Sequence, residues 1–400
     1  MKLLRGLALG MAASLAFSAV PVYASEDVIT LLQYPLERTV NSDTRVLTME
    51  EAFGLARRNN SSIEALNDTL TFIWQQRRSV AIDYDNAWRL GMGMQDLNAE
   101  LAGRGLRSID MSIANAPIQT RVLETTNHYL VLNSVNTLQG MEVDLLLLRE
   151  SINLQMVALR HVELRNNLGV ASDADVIAAR QDLAESRARL RSLEIELDGQ
   201  RAALNYLLGL PNSTDVHIEH VADLTPRNIS AKVRNINHFA DARTNIDPTI
   251  AILRRQVELA QLNLDRFQPW VQNTIMPTLT GGPFNSQANN TDRASMVNAV
   301  NTAVRELRDG IDNMQENIRQ AYGQLRQLEE QRQTLLIDLQ RARDMYGNAT
   351  VRLAAGDITE HELDSVRLAI IRAEADILRN ALRYESLMFA FEAPFLLSGR

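Results

Sequence analysis

The segments Leu168-Gly-Val-Ala-Ser172 and Ala355-Gly-Asp-Ile-Thr359 decide the fold, because they repeat one feature in the two halves of the chain. Their glycines lie 187 residues apart, and the same offset separates Ile63 from Ile250, each of which follows an Asn or Asp by three positions. Equal offsets at widely separated anchors are the pattern of a duplicated structural unit. The 400-residue chain is therefore predicted to be two copies of one unit.

Heptad stripes of mostly apolar residues follow each glycine. Each stripe steps alternately by three and four positions, which is the spacing of helices that pack along a shared seam. The first stripe comprises Val176, Ala179, Leu183, Ser186, Leu190, Leu193, Leu197, Gln200, Leu204 and Leu207, and the second comprises Leu363, Val366, Ile370, Ala373, Ile377, Asn380, Tyr384, Leu387 and Phe391. A third stripe precedes the second glycine, and the helix from Arg305 to Leu353 would be roughly 70 Å long. The pattern predicts rods of paired helices.

Signals for helix reversal and helix start surround both glycines. Gly169 and Gly356 can adopt the left-handed backbone conformation that ends a helix. Ser172-x-x-Asp175 and Thr359-x-x-Glu362 have the form of capping boxes, in which the hydroxyl and the acid satisfy backbone amides at a helix start. Thr48-x-x-Glu51 is a third box and is predicted to open the first helix. Each glycine is therefore interpreted as a sharp turn between two long helices.

Two windows, 83–116 and 268–303, are predicted to contain something other than long helix. In the first, Leu90–Met94 and Ile109–Ile113 alternate with period two on either side of a glycine-bearing segment, Ala102–Gly105, which is a hairpin-like arrangement. The second window contains prolines, glycines and asparagines with a weak strand pattern. Short strand segments are expected in both windows.

The N-terminus and the composition limit the class of protein. Lys2 and Arg5 precede an apolar run and small residues up to Ala24, so residues 1–24 are predicted to be a cleaved signal peptide and the protein to be exported. Acidic residues outnumber basic ones by 49 to 41, which argues against nucleic acid as a partner. The chain contains no cysteine, so disulfides and thiolate metal sites are excluded.

The same signals divide the mature chain into four segments. The first helical repeat unit is predicted at 25–210, a connector at 211–247, the second helical repeat unit at 248–392 and a C-terminal tail at 393–400. The connector has prolines, little apolar repetition and room for short helical pieces.

Sequence motifs for catalysis and for cofactors are missing. The only histidine cluster, His217-Ile-Glu219-His220, has no further acids at ligand spacing and is interpreted as part of the connector rather than as a metal site. The chain has no P-loop, no dinucleotide fingerprint and no nucleophile elbow. We therefore predict no enzymatic activity, no cofactor and no metal.

The chain resembles the TolC-like outer membrane efflux protein family in a series of segments that occur in order. They are Leu47-Thr-Met-Glu-Glu-Ala52, Arg165-x-x-x-Gly169-x-x-Ser172-x-x-Asp175, Ala202-Ala-Leu-Asn-Tyr-Leu-Leu-Gly-Leu-Pro211, Asp247-Pro248-x-Ile250, Ile275-Met-Pro277 and Arg352-x-x-x-Gly356-x-x-Thr359-x-x-Glu362. The resemblance implies a mainly α fold with two tandem repeats of long antiparallel helical hairpins. Short or vestigial β segments are expected in place of a full barrel contribution, because the alternating runs are too short to span a bilayer.

The resemblance also implies a function. It predicts a homotrimer that serves as the passive exit duct of a tripartite efflux or secretion system, together with a periplasmic adapter (membrane fusion) protein and an inner membrane pump. The expected location is the cell envelope, in either the outer membrane or the periplasm. The alternative is a structural coiled-coil scaffold of the envelope that has lost the β-barrel and transport.

The resemblance assigns two groups of site residues. The adapter-docking tips are expected at Leu168, Gly169, Val170 and Ser172 in the first half and at Ala355, Gly356, Asp357 and Thr359 in the second. Asp175 and Glu362 correspond to acidic positions of the tunnel constriction. In an assembled mouth, like charges held close would raise one another's pKa and favour cations. The alternative is that both acids serve only as helix caps.

Overall fold

The computed structural model describes residues 44–90, 97–220, 228–267 and 286–397. The predicted signal peptide lies outside these ranges. The first half contains β1 (Arg45–Thr48), α1 (Met49–Arg58), α2 (Ser61–Leu90), α3 (Leu97–Asn167) and α4 (Asp173–Leu208), followed by β2 (Val216–Glu219) and α5 (Ile229–Lys232). The second half contains α6 (Ile236–Ile246), α7 (Pro248–Asp265), α8 (Ser286–Ala354), α9 (Glu360–Glu392) and a 3₁₀ helix (Pro394–Leu397). The fold is mainly α, as predicted.

Two very long helices dominate the molecule. α3 has 71 residues and α8 has 69. At 1.5 Å per residue each is about 105 Å long, which exceeds the predicted length because α8 begins well before Arg305. Each is followed by one of the glycine turns and by a shorter antiparallel helix, α4 or α9. The predicted pair of helical hairpins is confirmed.

The duplication extends to the residues that start the helices. A shift of 187 residues carries α1 onto α6, α2 onto α7 and α4 onto α9. The matching N-cap side chains are Thr48 and Asn235, Asn60 and Asp247, and Ser172 and Thr359; each accepts a hydrogen bond from a backbone N–H of the helix that it precedes. By this measure the second copy begins with α6, inside the segment predicted as the connector.

The hairpin-like interpretation of the window 83–116 is wrong in the part of it that the structure describes. α2 continues to Leu90, and α3 runs through Ile109–Ile113 without interruption. The two isoleucines are four positions apart and therefore also fit one helical face. The glycines do not form a turn but permit α2 to approach α3 closely. A Cβ atom on Gly103 would lie 3.3 Å from Tyr84 Cε2.

The window 268–303 is also described only in part, and its described part is helical. Residues 286–303 are the start of α8. The strand segments predicted at 91–94 and in 268–285 lie outside the described residues. Within the described ranges, the strands are β1 and β2, which pair in parallel from Arg45 opposite Val216 to Thr48 opposite Glu219. The sequence motifs did not predict this pairing.

The long helices form two layers that share α3 and α8. In the layer that ends at the glycine turns, here called the turn layer, neighbouring helices follow the order α4–α3–α9–α8. In the other layer the order is α2–α3–α7–α8. α9 therefore packs between two helices, whereas α4 packs along one side only. This difference was not predicted, because the two heptad stripes look alike.

The seams of the turn layer are those that the stripes predicted. Every stripe position on α4 and α9 is buried or half-buried. α9 buries a second set of side chains, Ala375, Leu378, Ala381 and Leu382, in a cluster with Val143 of α3. The additional burial explains why α9 lies inside the layer.

The short elements form a collar, defined as α1, β1, β2, α5, α6 and the 3₁₀ helix. One buried cluster joins Val131 and Val135 of α3 to Leu47 of β1. Another contains Phe391 of α9, whose ring stacks on Phe239 of α6 with centroids 4.7 Å apart. The collar thus covers one face of the layers near the middle of the rod.

Candidate functional site

The two glycine turns have the same backbone geometry. Gly169 and Gly356 have φ angles of 74° and 81°, in the left-handed region. The N–H of Gly169 donates to Asn166 O at 2.8 Å and the N–H of Val170 donates to Arg165 O at 2.8 Å. The residues 187 positions later form the same two hydrogen bonds in the second turn, each with an N···O distance of 2.9 Å. This is the Schellman arrangement that satisfies the last carbonyl groups of a helix.

The residues assigned to docking tips are all exposed to solvent. They are Leu168, Gly169, Val170 and Ser172 at the first turn and Ala355, Gly356, Asp357 and Thr359 at the second. The first turn presents two apolar side chains, Leu168 at 70% and Val170 at 64% exposure. The second has Ala355 and Asp357 at the matching positions, so the two tips differ in chemistry.

The tips lie side by side at one end of the molecule. The ring centroids of His161, near the end of α3, and His361, in the first turn of α9, are 5.7 Å apart. The first tip is also braced internally, because Asn166 Nδ2 donates to Ala171 O at 3.1 Å and to Asp173 Oδ1 at 2.9 Å. Leu353 occupies the matching position of the second tip and cannot form these bonds.

Asp175 and Glu362 complete the predicted capping boxes. Asp175 Oδ2 accepts hydrogen bonds from Ser172 N at 2.9 Å and from Ser172 Oγ at 2.8 Å. Glu362 Oε2 accepts from Thr359 N at 2.7 Å and from Thr359 Oγ1 at 3.0 Å. Both helix starts are therefore closed by side chains, as the sequence predicted.

These bonds set the acidity of the two carboxyl groups in the single chain. The Ser172 hydroxyl, followed by its backbone N–H, lowers the pKa of Asp175. The Thr359 backbone N–H, followed by its hydroxyl, lowers the pKa of Glu362. The raised pKa expected from mutual repulsion belongs to an assembled mouth, and it remains a prediction.

The lowered pKa values predict a pH-dependent contribution to stability. A depressed folded-state pKa stabilises the protein fully above the ordinary carboxyl pKa, and the contribution is lost as pH falls through the folded value. The double variant Asp175→Asn with Glu362→Gln should be less stable than wild type at about pH 7 and equally stable at about pH 2. Urea unfolding across this range measures the difference.

A matched control removes two exposed acids away from the caps, Glu185→Gln with Glu316→Gln. It should change the unfolding free energy less at neutral pH, because neither residue forms a capping box. An equal loss in the two double variants would show that the caps contribute nothing specific.

The histidine cluster of the connector has a structural role. His217 lies in β2, and His220 Nε2 is 2.9 Å from Glu385 Oε2 on α9. Gln139 Nε2 of α3 donates to the backbone carbonyl of His220 at 2.7 Å. These bonds hold the end of β2 against the turn layer. Among the described residues, no group of three or more His, Asp or Glu side chains is arranged to hold a metal ion.

Sequence reasoning missed a polar groove between α3 and α8, over α9. It has a volume of about 650 Å³. Its lining includes the carboxamides of Asn136, Gln324, Gln327 and Gln331. The three glutamines are spaced by three and four positions, a helical-face signal that is present in the sequence.

Solved structures with the same fold are outer membrane channels and a membrane protein. The CmeC outer membrane channel of Campylobacter jejuni has a TM-score of 0.65 at 11% identity, over 96% of this chain and 95% of its own. The outer-membrane channel OprN has a TM-score of 0.60 at 14% identity, over 92% and 95%. A membrane protein from Pseudomonas aeruginosa has a TM-score of 0.60 at 12% identity, over 89% and 94%.

The other comparisons found no relatives. No protein-family model matches the chain, and no curated protein matches its sequence. Across residues 44–90, 97–220, 228–267 and 286–397, no helix combines the length and the apolar character needed to cross a membrane. At these low identities, the structural likeness establishes the fold alone.

Proposed function

We propose that three copies of this chain, which has the TolC-like fold, assemble into a passive exit duct of the cell envelope. In this proposal the duct docks a periplasmic adapter (membrane fusion) protein through its helical tips and works with an inner membrane pump. The pump supplies the energy, and the duct performs no catalysis. Its association is with the outer membrane or the periplasm.

The observation that carries the proposal is the pair of open edges in the turn layer. α4 ends the layer on one side and α8 ends it on the other. Large apolar side chains are exposed on both edges, including Ile195 at 73% on α4 and Ile337 and Met345 at 55% and 57% on α8. Exposed apolar surface of this kind favours association. Because the edges differ, contact between copies is head-to-tail and can close into a ring.

The internal duplication supports a particular contact between copies. α9 packs on α3 within the chain, and the 187-residue offset relates α9 to α4 and α3 to α8. Contact of α4 with α8 of the next copy would therefore repeat the α9–α3 contact. Ile195 matches Leu382, which is buried in that internal contact. The ring would then be built from six similar hairpins.

The position of the tips supports docking and a charged mouth. Both turns lie at one end of the layer, and the residues assigned to docking there are exposed to solvent. Each capping bond engages a single oxygen of Asp175 or Glu362, so within the described chain the second oxygen is outside the cap. In a trimer these two positions would place six carboxylates at the mouth, where they would favour cations.

Ion conductance of the purified protein in planar bilayers tests the duct. We expect discrete conducting steps with a preference for cations. The double variant Asp175→Asn with Glu362→Gln should conduct with a reduced cation preference, because it removes the charges of the mouth. The control variant Glu185→Gln with Glu316→Gln changes the charge equally and should retain the wild-type preference.

The outcomes separate the duct from the scaffold. A folded, oligomeric protein that never conducts would overturn the duct and favour a non-transporting scaffold of the envelope. Conductance with the same selectivity in both double variants would keep the duct and leave Asp175 and Glu362 as caps alone.

A further inference from the structure

The polar groove in the turn layer has features of a binding site that the proposed duct does not use. α3 and α8 form its walls and α9 forms its floor. Its volume of about 650 Å³ is within the range of small-molecule sites. Carboxamide, hydroxyl and charged side chains make up most of the lining residues, together with Met141 and three leucines.

The groove lies on the face opposite the collar. On α9, Tyr384 packs in the cluster that holds the collar, whereas Ser386, two residues later and about 200° around the helix, lines the groove. Leu387 lies between them around the helix and belongs to both the cluster and the groove lining. On α3, Val131 packs toward the collar, whereas Asn133 lines the groove. Both helices therefore place the groove on the face of the turn layer opposite the collar.

This orientation places the groove inside the proposed duct. The position of the groove in the lumen therefore rests on the proposed function, whereas ligand binding by the groove does not. A tube closed through α4 and α8 has room for the collar only on its outer surface, so the opposite face is turned to the lumen. α9 is not an edge helix. Pairing of the edges between copies would consequently leave the groove open to solutes in the duct.

Asn136, one of the residues that line the groove, has an unused hydrogen-bond acceptor that is itself buried. Its side chain is only 5% exposed. Nδ2 donates to Leu382 O at 3.3 Å and to Ser386 Oγ at 3.0 Å, which fixes the orientation of the amide because a carbonyl can only accept. Oδ1 receives no hydrogen bond from any residue that the structure describes. A buried acceptor without a donor is costly, so a donor from a bound molecule would stabilise it.

Arg383 supplies a positive charge. Asp144 and Arg379, which also line the groove, form an ion pair with each other, and Arg379 pairs with Asp376 as well. Arg383 is exposed and makes no ion pair within the described parts of the chain. The groove therefore offers one guanidinium outside these ion pairs, which suits a carboxylate, close to amides and a buried acceptor, which suit hydroxyl groups.

We propose that this groove binds a small polyhydroxylated organic anion. Its carboxylate would pair with Arg383, and one of its hydroxyl groups would donate to Asn136 Oδ1. Glutamine side chains of α8 would hydrogen-bond the remaining hydroxyl groups. The site would give the duct a chemical preference for polar acidic solutes at a position away from the tips.

Calorimetric titration of the purified full-length protein with gluconate tests the proposal. Gluconate carries both a carboxylate and hydroxyl groups. Sorbitol carries only hydroxyl groups, and propionate carries only a carboxylate. We expect saturable binding of gluconate and weaker binding of the other two probes. Arg383→Gln should weaken gluconate binding at least about tenfold, since a charge-assisted hydrogen bond is lost.

Arg372→Gln is the matched control, because Arg372 is also an exposed arginine of α9 but does not line the groove. It should bind gluconate as wild type does. The proposal is overturned if gluconate gives no saturable heat up to about 10 mM, or if both arginine variants bind alike. Binding without bilayer conductance would leave the site standing and reject the duct.

Discussion

Phe391→Ala lowers the free energy of unfolding by about 3–5 kcal/mol, the largest effect that we expect of any truncation in the chain. Phe391 is fully buried in the cluster that joins α9 to α8 and the collar. Its ring lies parallel to that of Phe239, at an interplanar angle of 5°, and also contacts Tyr322 with centroids 6.4 Å apart. Truncation leaves a cavity between three elements that the long helices cannot close by shifting.

Urea unfolding followed by circular dichroism measures this effect. Phe72→Ala is the matched control, because Phe72 is on α2 and is 64% exposed. The control should change the unfolding free energy by no more than about 0.5 kcal/mol. Similar losses in the two variants would show that the cluster around Phe391 does not attach the collar to the turn layer.

If the proposed ring forms, Ile195→Asp should abolish the assembly while leaving the single chain folded. In the proposed ring, Ile195 of each copy is buried against α8 of the next, in a contact equivalent to that of Leu382. An unpaired carboxylate there would cost several kcal/mol at every contact between copies, which corresponds to a loss of association of more than about a hundredfold. The single chain tolerates the change because this side chain is 73% exposed in it.

Light scattering coupled to size exclusion measures the assembly, and far-ultraviolet circular dichroism confirms that the variant remains helical. Glu185→Asp is a suitable control on α4, because it keeps the charge at an exposed position outside the matched contact. An Ile195→Asp protein with the wild-type mass would place the contact between copies elsewhere. Loss of helix together with assembly would mean that Ile195 stabilises the chain itself.

The tips and seams are the parts of the structure that the sequence specified most fully. The left-handed glycine, the Schellman bonds and the Ser172–Asp175 and Thr359–Glu362 boxes involve residues within six positions of one another. Local geometry of this kind depends on few residues and needs no tertiary context. The heptad stripes are similarly robust, because a period of 3.5 residues puts them on one face wherever the partner helix lies.

The middle windows show where local signals failed. Glycines at 103 and 105 suggested a turn, but their function is to let α2 approach α3. A short alternating run such as Ile109–Ile113 fits both a strand and a helix face, and only the continuous α3 on either side decides between them. The parallel pairing of β1 with β2 was equally hidden, because the partners are distant in the sequence.

By itself, the sequence determined the duplication, the two reversals, the caps and the faces on which helices pack. The tertiary structure alone decided that α9 lies between two helices while α4 remains an edge, and that three helices enclose the groove of Asn136 and Arg383. The physical reason is that periodicity and capping are encoded within a few turns of helix, whereas the choice of partner depends on burial summed over residues hundreds of positions apart.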